Sequence, residues 1–374
     1  MNRVEQLLQH KLAERANAGN LRQLSLNKAS VDFYSNDYLG LATLGYQTDA
    51  SSHSSRYLMS GSTGSRLLSG NSPEAEALEK TIADFHRAQS ALLFNSGYDA
   101  NTGLIPCITD RHTTILCDEL CHASILDGIR LSQSSKRYKF RHNNIEDLAK
   151  KLKKFQDGTV VVIVESVYSM DGDTAPLGEI TTLCNDHNAQ LIVDEAHATG
   201  VFGEKGEGLV CAMGLEDRVF ARVHTFGKAL GCHGAAVVGS DLLKQYLINF
   251  ARPFIYTTAL PMHSVCAIDN AYRYLSSAEF NNQSLRELIT YFRTKILKAG
   301  GSGWLDSESA IQAMIIGDNL RCRSIAGKIQ HAGFQVNPIL YPTVSKGSER
   351  LRICLHTFNT TEQIDGLFEV IAQA

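Results

Sequence analysis

Short unbroken apolar runs recur along the first part of the chain: Ala91–Phe94, Thr114–Cys117, Val160–Val164, Leu191–Val193 and Ala235–Val238. Continuous runs of this length predict strands covered on both faces, because a strand with one wet face alternates apolar and polar residues. From about residue 77 the runs are separated by helical stretches and Gly/Asn/Asp turns, an alternation that predicts a parallel α/β sheet. Ahead of them, Val4, Leu7, Leu8 and Leu12 stand at helical spacing, so residues 4–19 are expected to form an amphipathic helix packed onto a larger body. After Pro261 the texture becomes helical over residues 262–300, then strand-like at Ile311–Ile316 and Leu351–Leu355, which predicts a smaller α+β domain. The expected division is an N-terminal helix and arm (1–38), a large domain (39–265) and a small C-terminal domain (266–374).

Composition narrows the function classes. The chain has 374 residues, 44% hydrophobic and 20% charged, as expected of an ordinary soluble enzyme with room for two cores. Its net charge of −3 is scattered, so no basic stripe offers itself to nucleic acid, and small molecules are the expected partners. No apolar run approaches the ~18–20 residues that cross a bilayer, and the start Met1-Asn2-Arg3-Val4-Glu5 is polar, so a cytoplasmic location is expected, with no membrane contact. The nine cysteines are odd in number, dispersed and never in Cys-x-x-Cys spacing. They are expected to be buried thiols in a reducing compartment, with no metal site.

Polar residues follow several of the apolar runs at once: Ser96-Gly97-Tyr98, Asp118, Glu165 and Asp194. Open α/β sheets bind ligands outside the carboxyl ends of their strands, so a site is expected there. Asp194-Glu195-Ala196-His197 is followed, thirty-four residues on (228 − 194), by Lys228 in Thr225-Phe226-Gly227-Lys228-Ala229-Leu230-Gly231. An aldehyde cofactor such as pyridoxal phosphate needs an amine to hold it covalently, an acid to keep its ring nitrogen protonated, and donors for its phosphate. Lys228, Asp194 and the hydroxyl of Thr225 are candidates for these roles, with the backbone of Gly97 and Tyr98 as a further phosphate cradle at a helix N-terminus. His197 is placed to donate to the phenolic oxygen of such a cofactor, and His122, just past another strand, to stack on its ring. Arg352, alternating with Arg350 along a strand, can grip a carboxylate with two hydrogen bonds. Each residue also has an ordinary reading: a solvated lysine, a helix-capping aspartate, a core or loop histidine, a conformational glycine, a solvated strand face bearing Arg350 and Arg352.

Eight ordered segments decide between these readings: Ser35-Asn36-Asp37-Tyr38-Leu39-Gly40-Leu41, Gly64-Ser65-Arg66-Leu67-Leu68-Ser69-Gly70, Ser96-Gly97-Tyr98, His122-Ala123-Ser124, Ser169-Met170-Asp171-Gly172-Asp173, Asp194–His197, Thr225–Lys228 and Ile255-Tyr256-Thr257-Thr258. Together they resemble the α-oxoamine synthases, which are fold-type I pyridoxal-phosphate transferases, over most of the chain. The resemblance implies a large, mostly parallel sheet domain, a smaller α+β C-terminal domain, and a homodimer with shared active sites in which Thr257 or Thr258 reaches the cofactor phosphate of the other subunit. It further implies His122 over the cofactor ring, Ser169 and His197 near its oxygen, Asp194 on its nitrogen, and Lys228 as covalent anchor and base. Asn36 and Arg352 resemble the family's amino-acid contacts, and Arg22 lies where an acyl-group contact is expected. Two departures stand out: the stretch between Arg22 and Asn36 is short, and Gly206-Glu207-Gly208 carries an acid where relatives have arginine.

The reaction so implied is a decarboxylating condensation of an amino acid with an acyl thioester, giving an α-amino ketone. With the Thr-Phe-Gly-Lys form of the lysine loop, the resemblance implies L-alanine and a pimeloyl thioester rather than glycine with acetyl-CoA. Alternatives are a glycine acetyltransferase or a long-chain serine acyltransferase of the same family, and a non-catalytic protein that binds pyridoxal phosphate. Asp-Glu-Ala-His also spells a helicase box, but the Gly-x-x-x-x-Gly-Lys-Ser/Thr segment that reading requires does not occur.

Overall fold

The structure, a computed structural model, describes residues 2–24, 31–44, 60–155 and 158–373. Among these, the strands in chain order are β1 (Val31–Asp32), β2 (Ser90–Phe94), β3 (Thr114–Asp118), β4 (Lys136–Phe140), β5 (Val160–Glu165) and β6 (Gln190–Asp194). They continue as β7 (Ala221–Thr225), β8 (Ala235–Gly239), β9 (Ile311–Ile315), β10 (Phe334–Gln335), β11 (Asn337–Ile339) and β12 (Arg350–Cys354). The chain divides into two compact units, residues 36–169 with 174–283, and residues 1–35 with 170–173 and 284–374.

The larger unit is built on a seven-stranded sheet of order β2-β8-β7-β6-β5-β3-β4. Strands β4, β3, β5, β6 and β7 run parallel, while β8 runs antiparallel to both β7 and β2. All five apolar runs are strands of this sheet. Their alternate residues feed two cores: Ile115, Val161, Ile163 and Ile192 join one, and Leu116, Val160, Val162 and Leu191 join the other. Neighbouring residues point to opposite faces of a strand, so an unbroken apolar run is what a doubly covered sheet requires. Each such side chain contributes about 1.5–3 kcal/mol on full burial.

The sheet has two strands that the apolar pattern did not predict. Strand β4 is an edge strand, and its first four residues, Lys136-Arg137-Tyr138-Lys139, are exposed. Strand β7 is buried but carries Arg222 and His224, which bond Cys211 Sγ and Thr199 Oγ1 respectively, so its polar residues hide a central strand.

In the smaller unit, β9, β12 and β11 form an antiparallel sheet of order β11-β12-β9, and β1 pairs parallel with β10. The N-terminal segment belongs to this unit and is no separate arm: Asn20 Nδ2 donates to the Tyr341 carbonyl at 2.9 Å, and Arg323 donates to the carbonyls of Gly19 and Leu21. The boundary lies between Gln283 and Ser284, later than the expected 265/266. The reason is that helix Met262–Ser276 buries Val265, Ile268, Tyr272 and Leu275, and Tyr272 meets Phe85 of helix Pro73–Phe85 edge to face at 5.1 Å.

A helix does form at Arg3–Asn17, closed by a capping box between Asn2 and Glu5. It is not packed as expected. None of its residues is buried, and Val4, Leu7, Leu8 and Leu12 are all exposed, because no described segment of the chain covers that stripe. All nine cysteines are free thiols, and among the described residues no helix is long and apolar enough to cross a membrane.

Candidate active site

The parallel strands β5 and β6 end side by side, with Glu165 and Asp194 in register at their carboxyl tips. Asp194 is buried, and its two oxygens are committed differently. Oδ1 accepts the Ala196 N–H at 2.9 Å, which starts a helical turn in which the N–H groups of Ala198 and Thr199 donate to the Glu195 carbonyl. Oδ2 accepts Asn101 Nδ2 at 2.7 Å. The turn brings His197 to the same end of the sheet, where its Nδ1 shares a 2.8 Å hydrogen bond with the Tyr38 hydroxyl.

Asn101 continues the network outward. Its Nδ2 also donates to Ser124 Oγ at 3.0 Å, and Ser124 Oγ shares a 2.8 Å bond with His122 Nδ1. His122 caps helix Ala123–Leu131, and its backbone N–H donates to Glu165 Oε1 at 2.6 Å. Burial lowers the pKa of His122, against the opposing pull of Asp194 and with a smaller push from Lys228, so the ring is held neutral. Burial above all, then the negative charge of Asp194, pushes Glu165 up to about 8. At neutral pH a proton therefore resides on Glu165.

Helix Gly97–Cys107 begins where the sequence placed it, capped by Ser96 Oγ accepting the Asp99 N–H. Gly97 is needed for its size: a Cβ there would lie 2.4 Å from Thr225 Cγ2, so the first turn sits directly against the tip of β7. Lys228 follows three residues later, in the loop from β7 to β8. Lys228, Asp194, His122, His197, Glu165, Asn36, Asn101, Ser124, Ser96, Gly97, Tyr98 and Thr225 line one cavity of about 270 Å³.

Other expected site residues lie elsewhere. Ser169 is buried and its N–H donates to Glu165, but it does not itself line the cavity. Thr257 and Thr258 do not line the Lys228 cavity of their own chain; Asn95 Nδ2 donates to Thr257 Oγ1 and to the Thr258 carbonyl. Thr257 instead lines a second cavity with Arg66, Gly70 and Phe254, which lacks a lysine and a carboxylate at a strand tip.

Arg22 and Arg352 belong to the smaller unit. Arg22 is exposed and donates to Thr343 Oγ1 at 3.2 Å, and residues 25–30 of the short stretch after it lie outside the described residues. Arg352 is buried and donates to Cys354 Sγ at 3.0 Å. Arg350 is buried too and pairs with Asp171 at 2.5 Å, so the solvated strand face suggested for these arginines is not what the structure has. Glu207 accepts the Lys205 N–H at 2.8 Å and pairs with Arg87 at 3.5 Å.

Sequence reasoning missed Asn101 as a site residue. The available signal was an amide one turn inside a helix, on the face shared with buried Ala100, Leu104 and Ile105.

These donors fit pyridoxal phosphate: an amine and a buried carboxylate line one cavity, with a helix N-terminus close enough to the tip of β7 to exclude even a methyl group. The model of the aminotransferase class I and II family matches residues 28–371. The chain belongs to that family. It is 44% identical to the 8-amino-7-oxononanoate synthase of Emericella nidulans over 93% of this chain and 90% of that protein. To the enzyme of the same name from Alkalilimnicola ehrlichii it is 39% identical, over 92% and 88%. Among solved structures it is similar to serine palmitoyltransferase of S. paucimobilis with pyridoxal phosphate and myriocin bound, with a TM-score of 0.88, 27% identity, and coverage of 100% and 99%. It is also similar to the Francisella tularensis 8-amino-7-oxononanoate synthase, with a TM-score of 0.77, 28% identity, and coverage of 93% and 98%. Within this family of mostly parallel α/β folds, the chain is a pyridoxal-phosphate-dependent transferase.

Proposed function

We propose that this transferase condenses L-alanine with a pimeloyl thioester, releasing carbon dioxide and thiol to give 8-amino-7-oxononanoate, a step of biotin synthesis. The observation that carries the chemistry is the common cavity of Lys228, Asp194, His122 and His197. The choice of substrates rests on the relatives' names, 8-amino-7-oxononanoate synthase.

Lys228 is the amine that holds the cofactor and then the base that takes the proton from the amino acid's α-carbon. Asp194, held by Asn101 and the Ala196 N–H, keeps the cofactor's ring nitrogen protonated. When bound, pyridoxal phosphate supplies an electron-poor ring that stabilises negative charge at the α-carbon. His122 would cover one face of that ring, and being neutral it would not compete with Asp194 for charge. His197, oriented by Tyr38, donates toward the ring oxygen, with Ser169 nearby. The N–H groups of Gly97 and Tyr98 and the Thr225 hydroxyl receive the phosphate at the N-terminus of helix Gly97–Cys107. Asn36 and Arg352 take the amino acid's carboxylate, and Arg22 takes the acyl group.

The working unit in this proposal is a cytoplasmic homodimer, in which Thr257 or Thr258 reaches the phosphate held by the other subunit. The exposed stripe of Val4, Leu7, Leu8 and Leu12 supports a chain that associates with another copy. The test is purified protein with L-alanine and a panel of acyl thioesters, following free thiol. Release with L-alanine and a pimeloyl thioester is expected, and loss of both turnover and the visible absorbance of the bound cofactor in Lys228→Ala. Turnover with serine and a long-chain acyl thioester instead would favour the second reading, which the likeness to serine palmitoyltransferase supports.

A further inference from the structure

The condensation has a proton balance that the residues placed so far leave open. A zwitterionic amino acid and an acyl thioester become an ammonium ketone, carbon dioxide and a free thiol, so each turnover takes up one proton. The proton that Lys228 lifts from the α-carbon returns to that carbon after carbon dioxide departs, and so it does not reach the sulfur. A thiol of ordinary pKa, about 8.5, is mostly protonated near neutral pH, so the departing sulfur takes up a proton, and a second donor open to solvent suits that transfer.

The loop Phe226–Gly234 between β7 and β8 presents such a group. It is closed by Phe226 N–H to Gly234 O at 2.9 Å, Cys232 N–H to Phe226 O at 2.8 Å and Gly231 N–H to Lys228 O at 2.8 Å. Ala229 and Leu230 are buried beneath it, and Gly231, at φ +61°, approaches Ala42 so closely that a Cβ would lie 2.3 Å from that residue's backbone nitrogen. The loop is therefore pinned, and it presents both Lys228 and His233 to the same cavity. Of the three imidazoles lining that cavity, His122 and His197 have Nδ1 committed to Ser124 and Tyr38. The His233 ring is exposed and has no hydrogen-bond partner among the described residues.

We propose that His233 is a further catalytic residue, whose imidazolium protonates the thiolate as it leaves the acyl thioester. This rests on the condensation reading given above. The α-carbon of the amino acid bonds to the thioester carbonyl carbon, and the carbon–sulfur bond breaks with its electron pair on sulfur. The N–H proton of His233 passes to that sulfur, and the neutral ring takes a replacement proton from water. Imidazole suits the role because it exchanges protons with water near neutral pH. The titratable groups facing the same cavity are Lys228, His122, His197, Asp194, Glu165 and Tyr98; of the two exposed imidazoles there, His122 has Nδ1 committed to Ser124, and His233 has neither ring nitrogen bonded among the described residues.

The test separates the two halves of the reaction in the holoenzyme. Exchange of the α-proton of L-alanine into deuterated water needs no thioester, and in His233→Gln it should stay within about twofold of the unsubstituted protein, with an unchanged visible spectrum. With an alkyl thioester, kcat/KM should fall about 100-fold, the usual scale of a lost general acid. With an aryl thioester, whose thiolate departs without a proton, the fall should be less than about threefold. Added imidazole should restore His233→Ala with the alkyl thioester. Equal loss on both thioesters, or no loss on either, would overturn the assignment. Absence of α-proton exchange in the unsubstituted protein would overturn the condensation reading and this proposal with it.

Discussion

Replacing Glu165 by glutamine in the cofactor-free protein tests the electrostatics of the strand tips directly. The amide keeps an oxygen to accept the His122 N–H, so that contact survives while the titration is removed. The Glu165 carboxyl titrates at about 8 in the fold, against 4.5 when solvated, because burial and then Asp194 disfavour its charge. A folded pKa above the unfolded one means that the native state holds the proton more tightly. Stability from this group is thus complete below about pH 4.5 and is lost as the pH rises toward 8. At about 1.4 kcal/mol per tenfold change in proton concentration, that interval corresponds to roughly 5 kcal/mol, and relaxation around the buried pair makes about 3 kcal/mol a reasonable floor. Urea unfolding of both proteins from pH 5 to 9 at fixed ionic strength measures it. Glu195, which burial raises to about 7, titrates in both proteins and largely cancels in the difference. The Glu165→Gln protein should gain on the unsubstituted one steadily with pH. A difference that is flat within about 1 kcal/mol, or that grows toward acid, would refute the account of a proton held on Glu165.

Three further perturbations follow from the contacts. Asp171→Ala leaves the Arg350 guanidinium buried without its carboxylate and should cost about 3–5 kcal/mol in chemical denaturation, whereas Asp171→Asn should cost less because it keeps an acceptor. Gly97→Ala forces a methyl group against Thr225 Cγ2 and should cost about 1–3 kcal/mol of stability, and cofactor titration should show weaker binding of pyridoxal phosphate. His86, lowered to about 3 by burial and then Arg222, bonds the Tyr272 hydroxyl and the Glu207 carbonyl. His86→Phe should orphan both groups at a cost of about 2–3 kcal/mol, and should flatten the loss of stability that the unsubstituted protein shows as pH falls from about 6.5 toward 3.

The sheet was legible wherever strands were apolar on both faces, since Val160–Val164 can hardly be anything else in a chain that alternates with helices. It was illegible at β4, whose first four residues face water, and at β7, whose Arg222 and His224 bond side chains distant in sequence. The N-terminal helix was legible as a helix from its spacing and cap, but its packing depends on a partner surface that no single-chain pattern encodes. In the site, Lys228 and Asp194 were recognisable because the chemistry needs an amine and an acid at strand ends, and the fold does bring them to one cavity. Asn101 and Tyr38 were not, because nothing local to an asparagine inside a helix or a tyrosine in a turn reveals which distant group it will orient.

The strand tips also explain why an acid of uncertain purpose stands beside the one that the chemistry needs. Parallel strands in register fix Glu165 and Asp194 as neighbours, so neither can withdraw from the other without breaking the sheet. Burial, and then the charge of Asp194 beside it, disfavour a charge on Glu165, which keeps its proton. The surroundings decide where it stays. Asp194 receives two donors, Asn101 Nδ2 and the Ala196 N–H, and faces the cavity that holds Lys228. Glu165 also receives backbone donors, from His122 and Ser169, which favour its charged form, but its more complete burial and then the charge of Asp194 outweigh them and keep it neutral. The neutral glutamic acid thus works as a clamp on the loop that carries His122, and the negative charge is left on the carboxylate that meets the cofactor. Reversing the two roles would require exchanging their burial, not merely their side chains.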